Sequence, residues 1–150
     1  MHAAEIVKSH PSAPDRDVKA LVACIEACFD CEQTCTACAD ACLHEKKVAD
    51  LAHCIRTDLD CADICGTLGR SLSRASQPAS QPASQPASQP ASQPDADAMR
   101  TLLTACATSC RACAEECRKH ASMHEHCRIC AEACAACEKA CQALIAATPS

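Results

Sequence analysis

Between Cys24 and Cys42 the chain reads CIEACFDCEQTCTACADAC, six cysteines in nineteen residues with spacings that alternate four, three, four, three, four. That rhythm averages about 3.5 residues, the period at which one stripe of an α-helix keeps facing its partner helices. A strand would alternate with period two. The segment is therefore a helix whose inward seam is made of sulfur. Residues i and i+4 on a helix hold their Cβ atoms about 5 to 6 Å apart and parallel, whereas a disulfide requires about 3.8 Å, so neighbours on this seam are not bridged to each other.

The same rhythm recurs three times. A second seam runs Leu51, Cys54, Asp58, Cys61, Cys65, Leu68, Leu72, with a carboxylate in the place of one thiol. A third runs Met99, Leu103, Cys106, Cys110, Cys113, Cys117, and its next position is His120; a fourth runs Met123, Cys127, Cys130, Cys134, Cys137, Cys141, Leu144. The spacing of Cys24, Cys28, Cys31 and Cys35 repeats in Cys106, Cys110, Cys113 and Cys117, which marks an internal duplication. Four stripes are buried most economically together. The expected fold is all-α, an antiparallel four-helix bundle built from two helical hairpins around a Cys-lined core.

Composition supports this. With 18 cysteines, one Phe and no Trp or Tyr, thiols must fill the interior as small hydrophobes. No proline falls between Asp15 and Gln77 or between Asp95 and Thr148, which leaves two long windows free of helix breakers. Residues 1–14, with His2 and His10, read as a flexible N-terminal tail, and 15–148 as the bundle. The bundle is interrupted at 75–94 by ASQP repeated five times, an extended, solvated linker of about 3 Å per residue. Asp15 or Asp17 can cap the first helix. Gly66 and Gly69 weaken the second toward Ser73. Ser122 and Glu125 form a capping box that separates the third helix from the fourth near Ala121. A leftover apolar stripe, Val18, Val22, Ile25 and Phe29, serves either packing on a neighbouring helix or a subunit contact.

Several function classes fall away. The N-terminus lacks a basic segment followed by an apolar run, and no window approaches the roughly 20 apolar residues of a membrane span. The expected compartment is the cytoplasm, where thiols stay reduced and a cysteine array binds metal or does catalysis rather than forming disulfides. A net charge of -5, with only Lys46 and Lys47 adjacent, offers no footprint for nucleic acid.

Metal chemistry remains. A linear ion between two sulfurs needs them roughly 4.5 Å apart, which CxxxC on a helix supplies, and Cu(I) accepts two or three thiolates. Zinc wants four ligands in a tetrahedron and usually finds CxxC in turns, and the Cys-Pro of bacterial iron-sulfur motifs is absent, although four facing stripes could still build a tetrahedral site. If each thiolate bridges two Cu(I) ions and each ion takes two thiolates, the core is neutral at about one metal per sulfur. With up-down-up-down topology, His44, His53, His120, Met123, His124 and His126 gather at one end of the column. His120 and His124 stand out as ligands at that mouth; any one of the group is also at home as a solvated turn residue. Asp58 is either a weak extra ligand or a hydrogen-bond partner for thiols and histidines.

CIEACFDCEQTCTACADAC, CIRTDLDCADIC and KHASMHEHCRICAEACAACEKAC together resemble the bacterial four-helix-bundle copper storage proteins, in the branch without an export signal. The resemblance implies a cytosolic bundle that stores many Cu(I) ions and protects against copper toxicity. It also implies a homo-oligomer, commonly a tetramer, with a copper chaperone or a recipient cuproenzyme as partner. Carried over to this sequence, the ligands are Cys24, Cys28, Cys31, Cys35, Cys38, Cys42, Cys54, Cys61, Cys65, Cys106, Cys110, Cys113, Cys117, Cys127, Cys130, Cys134, Cys137 and Cys141, with His120 and His124. A zinc or cadmium buffer is the nearest rival. A thiol oxidoreductase using Cys127-Arg-Ile-Cys130 would need one singular reactive cysteine, and this pair is one of an even series.

Overall fold

The computed structural model describes residues 1–11, 18–74 and 95–148. Its elements are α1 (Ala3–Ser9), α2 (Lys19–Leu43), α3 (Ala52–Ser73), α4 (Ala96–His120) and α5 (Glu125–Ala147), with one 3-10 turn at Val48–Leu51 leading into α3. The four long helices are each roughly 33 to 38 Å, at about 1.5 Å per residue. They form the expected four-helix bundle: α2 packs on α3 and α5, and α4 packs on α5 and α3. The α3–α4 seam is the lightest of the four neighbour contacts. No helix among the described residues is long and apolar enough to cross a membrane.

All four cysteine stripes face inward. Every one of the 18 cysteines is free and buried. Above the sulfur, where α2 and α4 begin and α3 and α5 finish, Leu21, Leu68, Leu72, Leu103 and Leu144 close the core. The stripe that the sequence left between two uses is taken up at least in part within the bundle. Ile25 is buried and Val22 and Phe29 pack against the core. Phe29, the one aromatic, lies over Gly69 of α3, where an added Cβ would stand 3.0 to 3.2 Å from its ring. The glycine therefore seats a ring rather than ending a helix, and α3 runs through it to Ser73.

Three expectations are corrected or fall outside the description. A short helix, α1, stands within residues 1–14 and contacts α2 through a buried Ala3, where the sequence reading had a tail. The Ser122–Glu125 capping box does not form: the amides of Met123 and His124 both bond back to the carbonyl of His120, at 3.1 and 3.0 Å. That turn places His124 at the N-cap of α5 without a side-chain cap, and the Glu125 carboxylate binds Arg128 instead. The proposed caps Asp15 and Asp17 and the ASQP linker at 75–94 lie outside the described residues. A cap that was not anticipated opens α4, where the Asp95 carboxylate accepts from the Ala98 amide at 2.8 Å.

Candidate metal centre

Because each helix presents a thiol every turn and the four helices pack at close range, sulfurs meet across every neighbouring pair. Cys24 and Cys141 lie 3.8 Å apart at one level, Cys65 and Cys110 3.5 Å at another, and Cys35 and Cys134 3.4 Å near mid-column. Cys54 and Cys117 join α3 to α4 at 3.7 Å. Within helices the i, i+4 pairs are as close, with Cys31 to Cys35 at 3.7 Å and Cys61 to Cys65 at 3.8 Å. Donor atoms collect in sets of four within 4.8 Å of one another, such as Cys31, Cys61, Cys65 and Cys110, or Cys35, Cys113, Cys130 and Cys134. Cys31, Cys35 and Cys134 each belong to more than one set. The sites overlap, so the column offers a continuous run of donors rather than separate cups.

Asp58 sits inside this run, wholly buried. Its Oδ1 accepts from the thiols of Cys113, Cys117 and Cys130 at 3.1, 3.3 and 3.3 Å, the hydrogen-bonding role that the sequence allowed it. Among the described residues its Oδ2 has no hydrogen-bond partner. Burial, then the neighbouring Cys113, pushes its pKa up to about 9, so the side chain is a neutral acid at pH 7. The thiols are buried with sulfurs as close as 3.4 Å, where adjacent thiolates would be unsolvated and repel one another, so the metal-free column holds most of its protons. At the mouth, burial pushes Cys42 up to about 12 and also raises Cys127.

At the turned-over end the donors change. The Nδ1 of His126 lies 3.4 Å from Cys38, 3.5 Å from Cys127 and 4.0 Å from Cys42, and these four residues form one compact donor set. Its Nε2 meets Glu45 Oε1 at 3.0 Å, and His124 Nδ1 meets the same oxygen at 3.2 Å. The two imidazoles stack, with centroids 5.4 Å apart and planes inclined by 20°. Burial alone would lower the His126 pKa, but hydrogen bonds to Cys38 and Glu45 outweigh it and raise it. The bond from His126 and the nearby His124 hold Glu45 below the usual carboxylate range.

The expected histidine cluster is therefore divided. His124 and His126 gather over Cys38, Cys42 and Cys127, joined by Glu45. His120 turns to Glu116 of its own helix, at 3.3 Å, on a carboxylate whose charge His53 also reaches. His44 bonds down to the Asp40 carbonyl and Met123 stands in solvent. The sequence pattern favours His120 and His124 over His126 and does not point to Glu45. The HEHC run was the available signal for His126. Nothing local signalled Glu45, which reaches its partners from the other hairpin.

A family model described as copper storage protein matches residues 17–146. The copper storage protein Ccsp from Streptomyces lividans, in a structure loaded with 10 copper equivalents, is 48% identical with a TM-score of 0.81, covering 96% of this chain and 98% of its own. Other structures of the Streptomyces lividans protein also match: one is described as a cytosolic copper storage protein carrying five coppers, and another has two histidines four positions apart replaced by alanine. The Cu(I)-bound copper storage protein BsCsp3 is 34% identical with a TM-score of 0.65, covering 85% of this chain and 99% of its own. The uncharacterized cysteine-rich protein YhjQ of Bacillus subtilis is 36% identical over 124 residues, 83% of this chain and 94% of its own.

Proposed function

We propose that this chain, which belongs to the copper storage protein family, takes up many Cu(I) ions along its sulfur column and holds them in the cytosol out of reach of harmful chemistry. The observation that carries this reading is the overlap of the donor sets. Sulfurs such as Cys31, Cys35 and Cys134 stand within reach of two metal positions at once, the arrangement in which thiolates bridge and a one-to-one ratio of Cu(I) to thiolate leaves the core neutral. Each ion that enters displaces about one thiol proton, because buried thiols packed this closely keep theirs until a cation replaces them. The helices are already paired, so the fold changes little.

In this reading the 18 cysteines are the store and Asp58 is a weak oxygen ligand beside Cys113, Cys117 and Cys130. His120 and His124 belong to the entrance by their likeness to the family, and they are four positions apart, like the histidine pair replaced in the Streptomyces lividans variant. His126 joins them on geometry, with a ring nitrogen among three mouth sulfurs. Cu(I) reaches the mouth on a carrier with exposed thiolates and leaves for a recipient enzyme by the same ligand exchange. Homo-oligomer formation, a tetramer by family likeness, belongs to the same proposal, and exposed Leu59 and Ile129 are consistent with it.

Titration of the reduced protein with Cu(I) against a calibrated chelator tests the store: saturation should come at on the order of ten or more ions per chain, and one or two would end the reading. A zinc or cadmium buffer has one observation in its favour, since sulfur separations near 3.8 Å also fit the edge of a tetrahedral four-thiolate site, about 3.8 Å for bonds of about 2.3 Å. Competition in the same vessel decides between them. Zinc should be displaced by stoichiometric Cu(I).

A further inference from the structure

Glu45 lies in the turn after α2, while the two imidazoles on its Oε1 belong to the turn and first residues of α5, in the other hairpin. Such a pair, about a third exposed on the carboxylate side, adds little to stability, so a clasp between hairpins is a weak account of it. The chemistry of the contact says more. An ionised carboxylate only accepts hydrogen bonds, so each ring nitrogen facing it carries the hydrogen, and a neutral imidazole has only one to give. The lone pair is thereby assigned to the opposite nitrogen.

For His126 the opposite nitrogen is Nδ1, the atom 3.4 to 4.0 Å from Cys38, Cys127 and Cys42. For His124 it is Nε2. The other tautomer of His126 would place a hydrogen on Nδ1, donate it to a sulfur, and leave no lone pair for a cation at the mouth. The stacked ring of His124 further limits rotation of His126.

We infer that Glu45 is a positioning residue for copper uptake: by accepting from His126 Nε2 it holds that imidazole in the tautomer whose Nδ1 lone pair faces the mouth thiols. A carboxylate behind a metal-binding histidine commonly acts this way, fixing ring and tautomer and raising ligand basicity. The inference rests on the copper-storage reading for its purpose, but its central claim concerns the metal-free protein.

The test has two arms. Histidine nitrogen NMR on the reduced, copper-free protein should show His126 protonated on Nε2 in the unaltered chain and in Glu45→Gln, whose carbonyl oxygen still accepts, but not in Glu45→Ala. Uptake of Cu(I) from its complex with an anionic colorimetric chelator should slow on the order of tenfold in Glu45→Ala and stay within about twofold in Glu45→Gln. His126→Ala should be equally slow, and Glu45→Ala should add nothing to it. An unchanged tautomer in Glu45→Ala, or a double variant slower than His126→Ala alone, overturns the inference. If the unaltered chain binds only one or two ions, the storage reading fails by itself, since the NMR arm contains no metal.

Discussion

Where α2 and α4 begin and α3 and α5 finish, the core is Leu21, Leu68, Leu72, Leu103 and Leu144; where the helices turn over, buried Leu51 shares the interior with Cys38, Cys42 and Cys127, beneath the partly exposed His126 and Glu45. Each fully buried leucine contributes about 1.5 to 3 kcal/mol through the area it removes from water and offers no donor to a metal. Apart from Leu51, the mouth residues named here are polar or polarisable, and His126 and Glu45 are partly exposed. One end anchors the bundle, and on the proposed reading the other exchanges its cargo. The same heptad pattern builds both, and the side chains at the two ends of each seam make the difference.

Cutting into the anchored end should give the largest effect. Leu68→Ala removes a wholly buried side chain and should cost about 2 to 5 kcal/mol, measured by denaturant unfolding of the reduced apo protein. A loss below about 1 kcal/mol would mean that the leucine end is not the anchor. Asp58→Asn probes the column between the ends. Its folded pKa, about 9, lies above the ordinary 3.8, so the native state holds this proton more tightly than the unfolded chain. The resulting stability is fully present below about pH 4 and lost as pH rises through about 9. Asparagine does not titrate, so the variant should gain on the parent as pH rises from 5 to 8, by about 4 kcal/mol at most in paired thermal melts. A pH-independent difference would show Asp58 to be hydrated or charged.

At the exchanging end the expected sizes shrink and the readout changes. His126→Ala should slow the first phase of Cu(I) uptake about tenfold, seen by stopped flow, with stability altered by less than about 1 kcal/mol. If Leu144→Ala slowed that phase as much, the assignment of traffic to one end would fail. The smallest effect is the pH response of uptake. A protonated imidazole has no lone pair, so the first phase should slow several-fold as pH falls through the raised pKa of His126. The stability linkage runs the opposite way: the proton bound by His126 favours the fold below the unfolded pKa, and that contribution fades as pH rises through the folded one. A rate that follows stability with pH would break the distinction.

The column was legible because one residue type at a 3.5-residue period leaves a helix no choice of inward face, and Asp58 was legible as the odd member of a seam. The mouth was less so. His120 continues the α4 seam and drew attention for that reason, yet its ring turns to Glu116. His126 sits beside the α5 seam and still reaches three sulfurs, because its side chain leans across to Cys38 and Cys42 of α2. The Ser122–Glu125 pattern satisfied the spacing of a capping box, but the turn's return bonds to His120 decided which residue caps the helix. Gly69 looked like a weak point in a helix until Phe29, on another helix, gave it a reason.

By itself the sequence determined the four long helices of the bundle, the side of each that faces inward and the chemistry of that side, since these follow from spacing along one chain. Only the tertiary structure decided which sulfurs share a metal position, which imidazole meets them and which carboxylate stands behind it. Those contacts join groups on different helices, and their distances depend on how four rods settle against one another.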